Sequence, residues 1–395
     1  MVIFAQIKHK SLFTARQHLS KRKIYLSKHV FTIKQERGLL KKLSHQDLMC
    51  LVDGAAIFSA GGGGDPESGY TIVNGLTESG YEVELVDPMK VPQDAIVVNF
   101  ACVGATAAGA YHSKAAAKTF QTLEEYLGRK AYAVIPIELG GANTLVAVDV
   151  AARLGIPVVD ADGAGRAVPE VHLKVYTIDD IPIAPMAIAD IHARNVVLVE
   201  ETLDSRSAER IARALATEWG QIAYTARRVL TGKCVKTSPI LYTLSQSIRI
   251  GMLLEKAVDP VRVVLNETNG FRLFEGVVDK IERETKAGFT WTNIALKGNR
   301  ENKGSKFECK AKNEVLVAYK DDKLVAVAPD IITPVHPETG KCITAEKIKK
   351  ADKLVILGIP APEKWRTTRG LELWRDTLQR SGMQETYVPI ERLGR

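Results

Sequence analysis

Apolar and polar positions along the chain fall into helical and strand spacings that change in blocks. Ser44 and Asp47 have the spacing of a capping box. Leu48, Leu51, Val52 and Ala55 then recur at helical spacing, so organised structure is expected from Ser44. This helix runs into Ser59-Ala60-Gly61-Gly62-Gly63-Gly64. Four consecutive glycines cannot form a helix interior, where each costs about 1 kcal/mol relative to Ala. Asp65-Pro66-Glu67 supplies an N-cap, a first-position proline and a first-turn acid, which predicts a second helix over 66–80. Strand patterns at 82–86, 95–100, 131–139, 156–160 and 196–199 alternate with helical ones at 115–127 and 142–154. Such alternation argues for an α/β domain, a mixed layered sheet with helices. An amphipathic helix follows over 204–219, and Ser238-Pro239 opens another with Leu241, Leu244, Ile248 and Met252 on one face. From 269 onward strands dominate, at 271–281, 289–296, 307–309 and 315–318. Runs 315–319 and 324–328 flank Lys320-Asp321-Asp322-Lys323 as a hairpin. The polar stretch 298–305 reads as a loop. The predicted organisation is a basic extension over 1–43, an α/β domain over 44–203, and a C-terminal domain over 204–395 that begins helical and becomes β-rich.

Charge refines this division. The 395 residues carry a net charge of +8, which suggests nucleic-acid binding. Residues 1–45, however, hold eleven Lys and Arg against one acid, Glu36, a balance of +10. The other 350 residues share 43 basic and 45 acidic side chains, a balance of −2. The body is near neutral, and neither nucleic acid nor membrane is expected as a partner. With mean hydropathy of −0.05 and no run of about 18 apolar residues, a spanning helix is not predicted. Five scattered cysteines without a CxxC fit a reducing compartment and small buried hydrophobes. The expected location is cytoplasmic, or mitochondrial if the basic, acid-poor extension is a presequence.

Three turns combine glycine with acid. The first, Gly61 to Gly64 with Asp65, exposes backbone N–H groups at a helix N-terminus. It lacks the Lys-Ser/Thr of a P-loop, and Asp65 would repel phosphate, so a neutral ligand or a metal fits better. The second is Glu138-Leu139-Gly140-Gly141-Ala142-Asn143, placed after a strand where α/β sheets bind ligands. The third is Asp160-Ala161-Asp162-Gly163-Ala164-Gly165-Arg166, with Glu170 beyond it. Its two carboxylates could bind a metal or share a proton, and Arg166 could hold an anionic group. Plain capped turns explain each of these singly; three in one domain are harder to explain that way. His172 lies nearest these clusters, and Cys102, beside the strand at 95–100, is the best-placed thiol. No HExxH or GxSxG occurs.

AGGGGDP (60–66), VELVDP (83–88), PIELGGAN (136–143) and VVDADGAGRAVPE (158–170) resemble the S-methyl thiohydantoin desulfurase family, formerly an uncharacterised domain family often encoded beside hydantoinase/oxoprolinase genes. Asn313-Glu314, Ala328-Pro329-Asp330, Pro360-Ala361-Pro362 and Trp365-Arg366 look like its second domain. The resemblance spans about 44–375. Ala164 and Val168 stand where the family has Met and Phe, which leaves the precise substrate open, and residues 1–41 are an addition. The resemblance implies a hydrolase that removes a sulfur substituent from a thiohydantoin ring, with a small cyclic amide or thioamide as substrate. Carboxylates could activate the water, with Glu138 or Asp162 as base and Arg166 orienting the ring. Gly61, Gly62, Gly63, Gly64, Asp65, Gly140, Gly141, Asn143 and Glu170 would line the site. The cofactor is unknown; a divalent metal on Asp65, Asp160 and Asp162, with Glu138 or His172 as further ligands, is the other route to an activated water. The rival reading is a non-catalytic ligand-binding or accessory subunit of a hydantoinase/oxoprolinase-type system. A homo-oligomer or a hydantoinase-type partner is left open.

Overall fold

Regular structure is present before Ser44. The computed structural model describes residues 40–104 and 111–393. The extension read over 1–43 lies outside the described residues except at its end. There, Lys41–Leu43 (β1) pairs antiparallel with Val83–Val86 (β2), Leu43 opposite Val83. Three residues are too few for periodicity to reveal. Ser44 then caps His45–Ile57 (α1) with both halves of a capping box, Asp47 N–H to Ser44 Oγ at 3.1 Å and Ser44 N–H to Asp47 Oδ2 at 2.8 Å. Asp65 caps Pro66–Glu78 (α2) by accepting from Glu67 N–H.

Between these helices the glycine run makes a tight passage. Gly63 has φ of +65°, and a Cβ there would lie 2.6 Å from the Cα of Gly140. Its carbonyl accepts from the N–H groups of Ala142 and Asn143. The first two glycine turns are therefore one packed unit.

The first sheet has eight strands. Ile96–Gly104 (β3), Ala133–Pro136 (β4), Val158–Val159 (β5) and β2 form its parallel part, with Ser113–Leu127 (α3) and Asn143–Leu154 (α4) as helices. Met186–Ala189 (β7) and Val196–Val199 (β8) form the far edge, and the short Ala161–Asp162 (β6) lies outside the sheet. The strand between β3 and β7 comes from later in the chain. After Ser205–Glu218 (α6, the four-residue helix Val175–Ile178 being α5), Ile222–Thr231 (β9) runs antiparallel to β3 and β7. The sheet order is β1-β2-β5-β4-β3-β9-β7-β8. The boundary expected at 203/204 thus cuts the chain within this sheet. A short helix, Gly232–Val235 (α7), leads to Ile240–Leu241 (β10), which pairs with β6. Thr243–Lys256 (α8) and Pro260–Thr268 (α9) follow.

The second sheet is antiparallel throughout. Its strands are Phe271–Lys286 (β11), Phe289–Gly298 (β12), Lys306–Lys312 (β13), Glu314–Lys320 (β14), Lys323–Val327 (β15), Ile331–Val335 (β16) and Lys353–Ile359 (β17), ordered β15-β14-β13-β12-β11-β17-β16. Thr368–Arg380 (α10) and Ile390–Leu393 (α11) close the chain. The fold is an α/β first domain and a β-rich second one, as the pattern predicts. The domains are tied at the backbone: Val315 N–H donates to Ala60 O and Ala345 N–H to Gly61 O, each at 2.8 Å. Among the described residues, no helix is long and apolar enough to cross a membrane.

Candidate functional site

The carboxyl ends of β3 and β4 face the glycine run and the first residues of β14 across a cavity of about 130 Å³. Ligands of open α/β sheets bind at this end of the strands. The volume is below that of sites for drug-sized ligands and suits a small ring. Gly63, Gly64 and Asp65 line one wall; Cys102, Glu138 and Asn143 the floor; Val168, Glu170, Lys174 and Arg227 another wall; Asn313 and Glu314 come from the second domain.

Glu138 sits just beyond β4 and is 7% exposed. Its Oε1 accepts from Asn143 Nδ2 at 2.7 Å. Its Oε2 accepts from Lys174 Nζ at 3.0 Å and Val168 N–H at 3.4 Å. Accepting from three donors is the pattern of a carboxylate. Asn143 Oδ1 in turn accepts from Cys102 N–H at 3.0 Å, which orients its amide so that the NH₂ faces Glu138. Burial lowers the Lys174 ammonium's pKa, with the Glu138 charge opposing that shift. Burial likewise pushes the Cys102 thiol up to about 12, reinforced by Glu138, so it is a neutral thiol in the wall.

Arg227, on β9, is buried; its Nη1 donates to Thr225 Oγ1 and its Nε has no hydrogen-bond partner. Burial brings its guanidinium down to about 10. Glu314 is a further buried titratable group of the cavity lining. Burial first, then the nearby Glu138 charge, raise its carboxyl to about 8, against Arg166 and Lys174. Its Oε2 makes no hydrogen bond.

Of the residues nominated from sequence, Gly63, Gly64, Asp65, Glu138, Asn143 and Glu170 line this cavity. Gly140 stands behind it, its N–H held by Thr144 Oγ1, while Gly61, Gly62 and Gly141 are buried around it. Asp65 Oδ2 pairs with Lys347 of the second domain at 3.0 Å. Glu170 is bound by Lys312 and by Arg380 at 2.8 Å; His172 Nδ1 lies 3.3 Å from it without a hydrogen bond. Burial alone would raise its pKa, but Lys312 and Arg380 hold it below the usual carboxylate range.

Asp160, Asp162, Arg166 and His172 do not line the cavity. Asp160 caps α8, accepting from Leu244 and Ser245 N–H and from Ser245 Oγ. Asp162 Oδ1 accepts from Ala164 and Gly165 N–H, both at 2.7 Å, and burial pushes its carboxyl up to about 6. Arg166 spans the domains: Nη1 donates to the carbonyls of Pro329 and Asp330, and the guanidinium lies 4.7 Å from the Trp374 ring centroid. His172 is buried with Nε2 at 3.3 Å from Thr377 Oγ1, and burial lowers its pKa. Among the described residues, no group of three or more His, Cys, Asp or Glu side chains is set to hold a metal ion. The carboxylates nominated together as ligands are each engaged with a different part of the backbone or with Lys347.

Lys174, Arg227 and Glu314 were missed as site residues. The available signal was charge inside apolar runs, Lys174 in Val171–Val175 and Arg227-Arg228 within Ala223–Leu230.

Two family models match the chain: "S-Me-THD-like, N-terminal domain" over residues 46–200 and "S-Me-THD-like, C-terminal domain" over 203–390. No curated protein matches it. A crystal structure of a protein from Chromobacterium violaceum, solved by a structural genomics consortium, is similar in fold, with a TM-score of 0.75 and 24% identity; the likeness covers 89% of this chain and 100% of that one.

Proposed function

This chain belongs to the S-Me-THD-like family, and on that premise we propose that it is a hydrolase of S-substituted thiohydantoin rings. Water would add to the ring carbon that bears sulfur, the C–S bond would break, and a hydantoin and a thiol would leave. The observation that carries this reading is the placement of Glu138. It lies at the carboxyl end of a parallel strand, in a ring-sized cavity, beside two buried cations, Lys174 and Arg227. Glu138 takes the proton of the attacking water. Asn143 and Lys174 hold its carboxylate in place. Arg227, whose guanidinium is buried in the cavity lining, stabilises negative charge that develops on the ring.

Purified protein supplied with S-methyl thiohydantoin should release methanethiol and hydantoin, detected by mass spectrometry. Glu138→Gln should slow that turnover on the order of 10²–10⁴-fold. Full turnover by E138Q would remove Glu138 from the mechanism. Thermal stabilisation by the ring compound without product would instead favour a ligand-binding accessory role.

A further inference from the structure

The second domain contributes a carboxyl group whose surroundings differ from those of Glu138. Asn313 adopts φ of +62° and is fixed by Thr290, with N–H to Thr290 O at 2.7 Å and Oδ1 accepting from Thr290 N–H at 2.8 Å. The next residue, Glu314, opens β14 and lines the cavity while 2% exposed. Its Oε1 lies where Gly62 has no side chain: a Cβ on Gly62 would be 2.1 Å away. Its Oε2 has no hydrogen-bond partner. A buried carboxylate with an unsatisfied oxygen is costly, whereas a neutral carboxylic acid has a proton to give to a ligand. The charged groups that act on it are Glu138 beyond β4, Arg166 from the third glycine turn and Lys174 before α5. Glu138 has three donors around it, including an ammonium. Two carboxyls with such unequal surroundings divide into a base and an acid.

We propose that Glu314 is the proton-carrying carboxyl of the cavity, donating to the ring nitrogen of the bound ligand and acting as general acid to Glu138. The catalytic half of this rests on the hydrolase reading above. As water adds to the sulfur-bearing carbon, Glu138 accepts one water proton and the C=N π pair moves to nitrogen, which takes the proton of Glu314. The hydroxyl then becomes the carbonyl as the C–S bond breaks, and the thiolate departs with the hydroxyl proton. Transfer of the proton from Glu138 to Glu314 restores both groups. One water is consumed, and its two protons end on the ring nitrogen and the thiol. Burial keeps the acid form available, with Glu314 held at about 8.

Two measurements on the full chain test this. Infrared difference spectra between wild type and Glu314→Gln should contain a protonated carboxyl C=O stretch near neutral pH. That stretch should disappear as pH rises through about 8 and shift when hydantoin is added. Its absence at neutral pH overturns the proposal whether or not any substrate turns over. In turnover of S-methyl thiohydantoin, the wild-type rate should fall on the alkaline side. E314Q should be slower by about 10²–10⁴-fold and lack that alkaline limb. An E314Q enzyme that retains rate and limb overturns the catalytic role. Absence of turnover by wild type sinks the hydrolase reading instead, and the infrared band still decides the protonation of Glu314. If E314Q does not fold, Glu314→Asp serves in its place: the carboxyl is retained but displaced, so the band should shift in frequency, and an unchanged spectrum counts against the assignment.

Discussion

At the residue scale, the cavity charges make stability depend on pH in a direction that can be worked out. Glu314 titrates at about 8 in the fold against an ordinary value of 4.5. Between those values the unfolded chain has released this proton and the folded chain has not. The unfolded state binds fewer protons there, so stability falls as pH rises through that window and is level beyond it. E314Q has no proton to lose. Its stability relative to wild type should therefore improve by a few kcal/mol between about pH 5 and about pH 8.5, as measured by urea unfolding. A difference that does not move with pH would mean that Glu314 is ionised throughout. Glu170 has the opposite sign. Lys312 and Arg380 depress its pKa, so its contribution is present above the ordinary carboxylate range and is lost on acidification. Arg166 is another buried charge whose role is set by contacts. Its donors reach Ala167, Pro329 and Asp330 carbonyls rather than the cavity. Arg166→Met should cost stability by about 3–5 kcal/mol, through carbonyls left without their donors and a lost tie between the domains. Loss of turnover in R166M with unchanged thermal stability would return Arg166 to the substrate.

At the element scale, what was legible in the sequence is what is local. The capping box at Ser44 and Asp47, the Asp65-Pro66 helix start and the β14–β15 hairpin each depend on residues within a few positions. The glycine run was legible as a non-helical turn, but its purpose was not. Gly63 must be glycine because Gly140, 77 positions on, occupies the space of a Cβ. Gly63→Ala should therefore destabilise by several kcal/mol, since it combines a positive φ with a backbone clash. Gly75, inside α2 with open space around it, gives the control: Gly75→Ala should gain up to about 1 kcal/mol. Equal effects of the two in thermal melts would contradict the packed-turn account. The third glycine turn shows the limit of local chemistry. Asp160 and Asp162 have the composition of a ligand pair, yet one caps α8 and the other closes its own turn. Nothing in Asp-Ala-Asp-Gly separates these uses; the helix that claims Asp160 lies about 80 residues away. β9 escaped for a related reason. Arg227 and Arg228 interrupt its apolar pattern, and both are buried only because β3, β7 and the turn near Ile181 enclose them.

At the scale of the whole molecule, the two domains are not independent folding units. The S-Me-THD-like N-terminal match ends at 200, but β9, at 222–231, is the strand that joins β3 to β7. Without it, the β7–β8 pair is cut off from the rest of the sheet, and the long edge of β3 is left open, a template for aggregation. The site has the same dependence. Asn313, just before β14, and Glu314, its first residue, enter the cavity, and the strand is held there by Val315 N–H on Ala60 O, directly before the glycine run. A chain of residues 40–200 should therefore be aggregated or unfolded by circular dichroism and gel filtration. Residues 40–393 should unfold in one calorimetric transition, with calorimetric and van't Hoff enthalpies equal. Two separate transitions would show that the domains unfold independently, and a soluble, folded 40–200 fragment that binds hydantoin would show that the first sheet closes without β9.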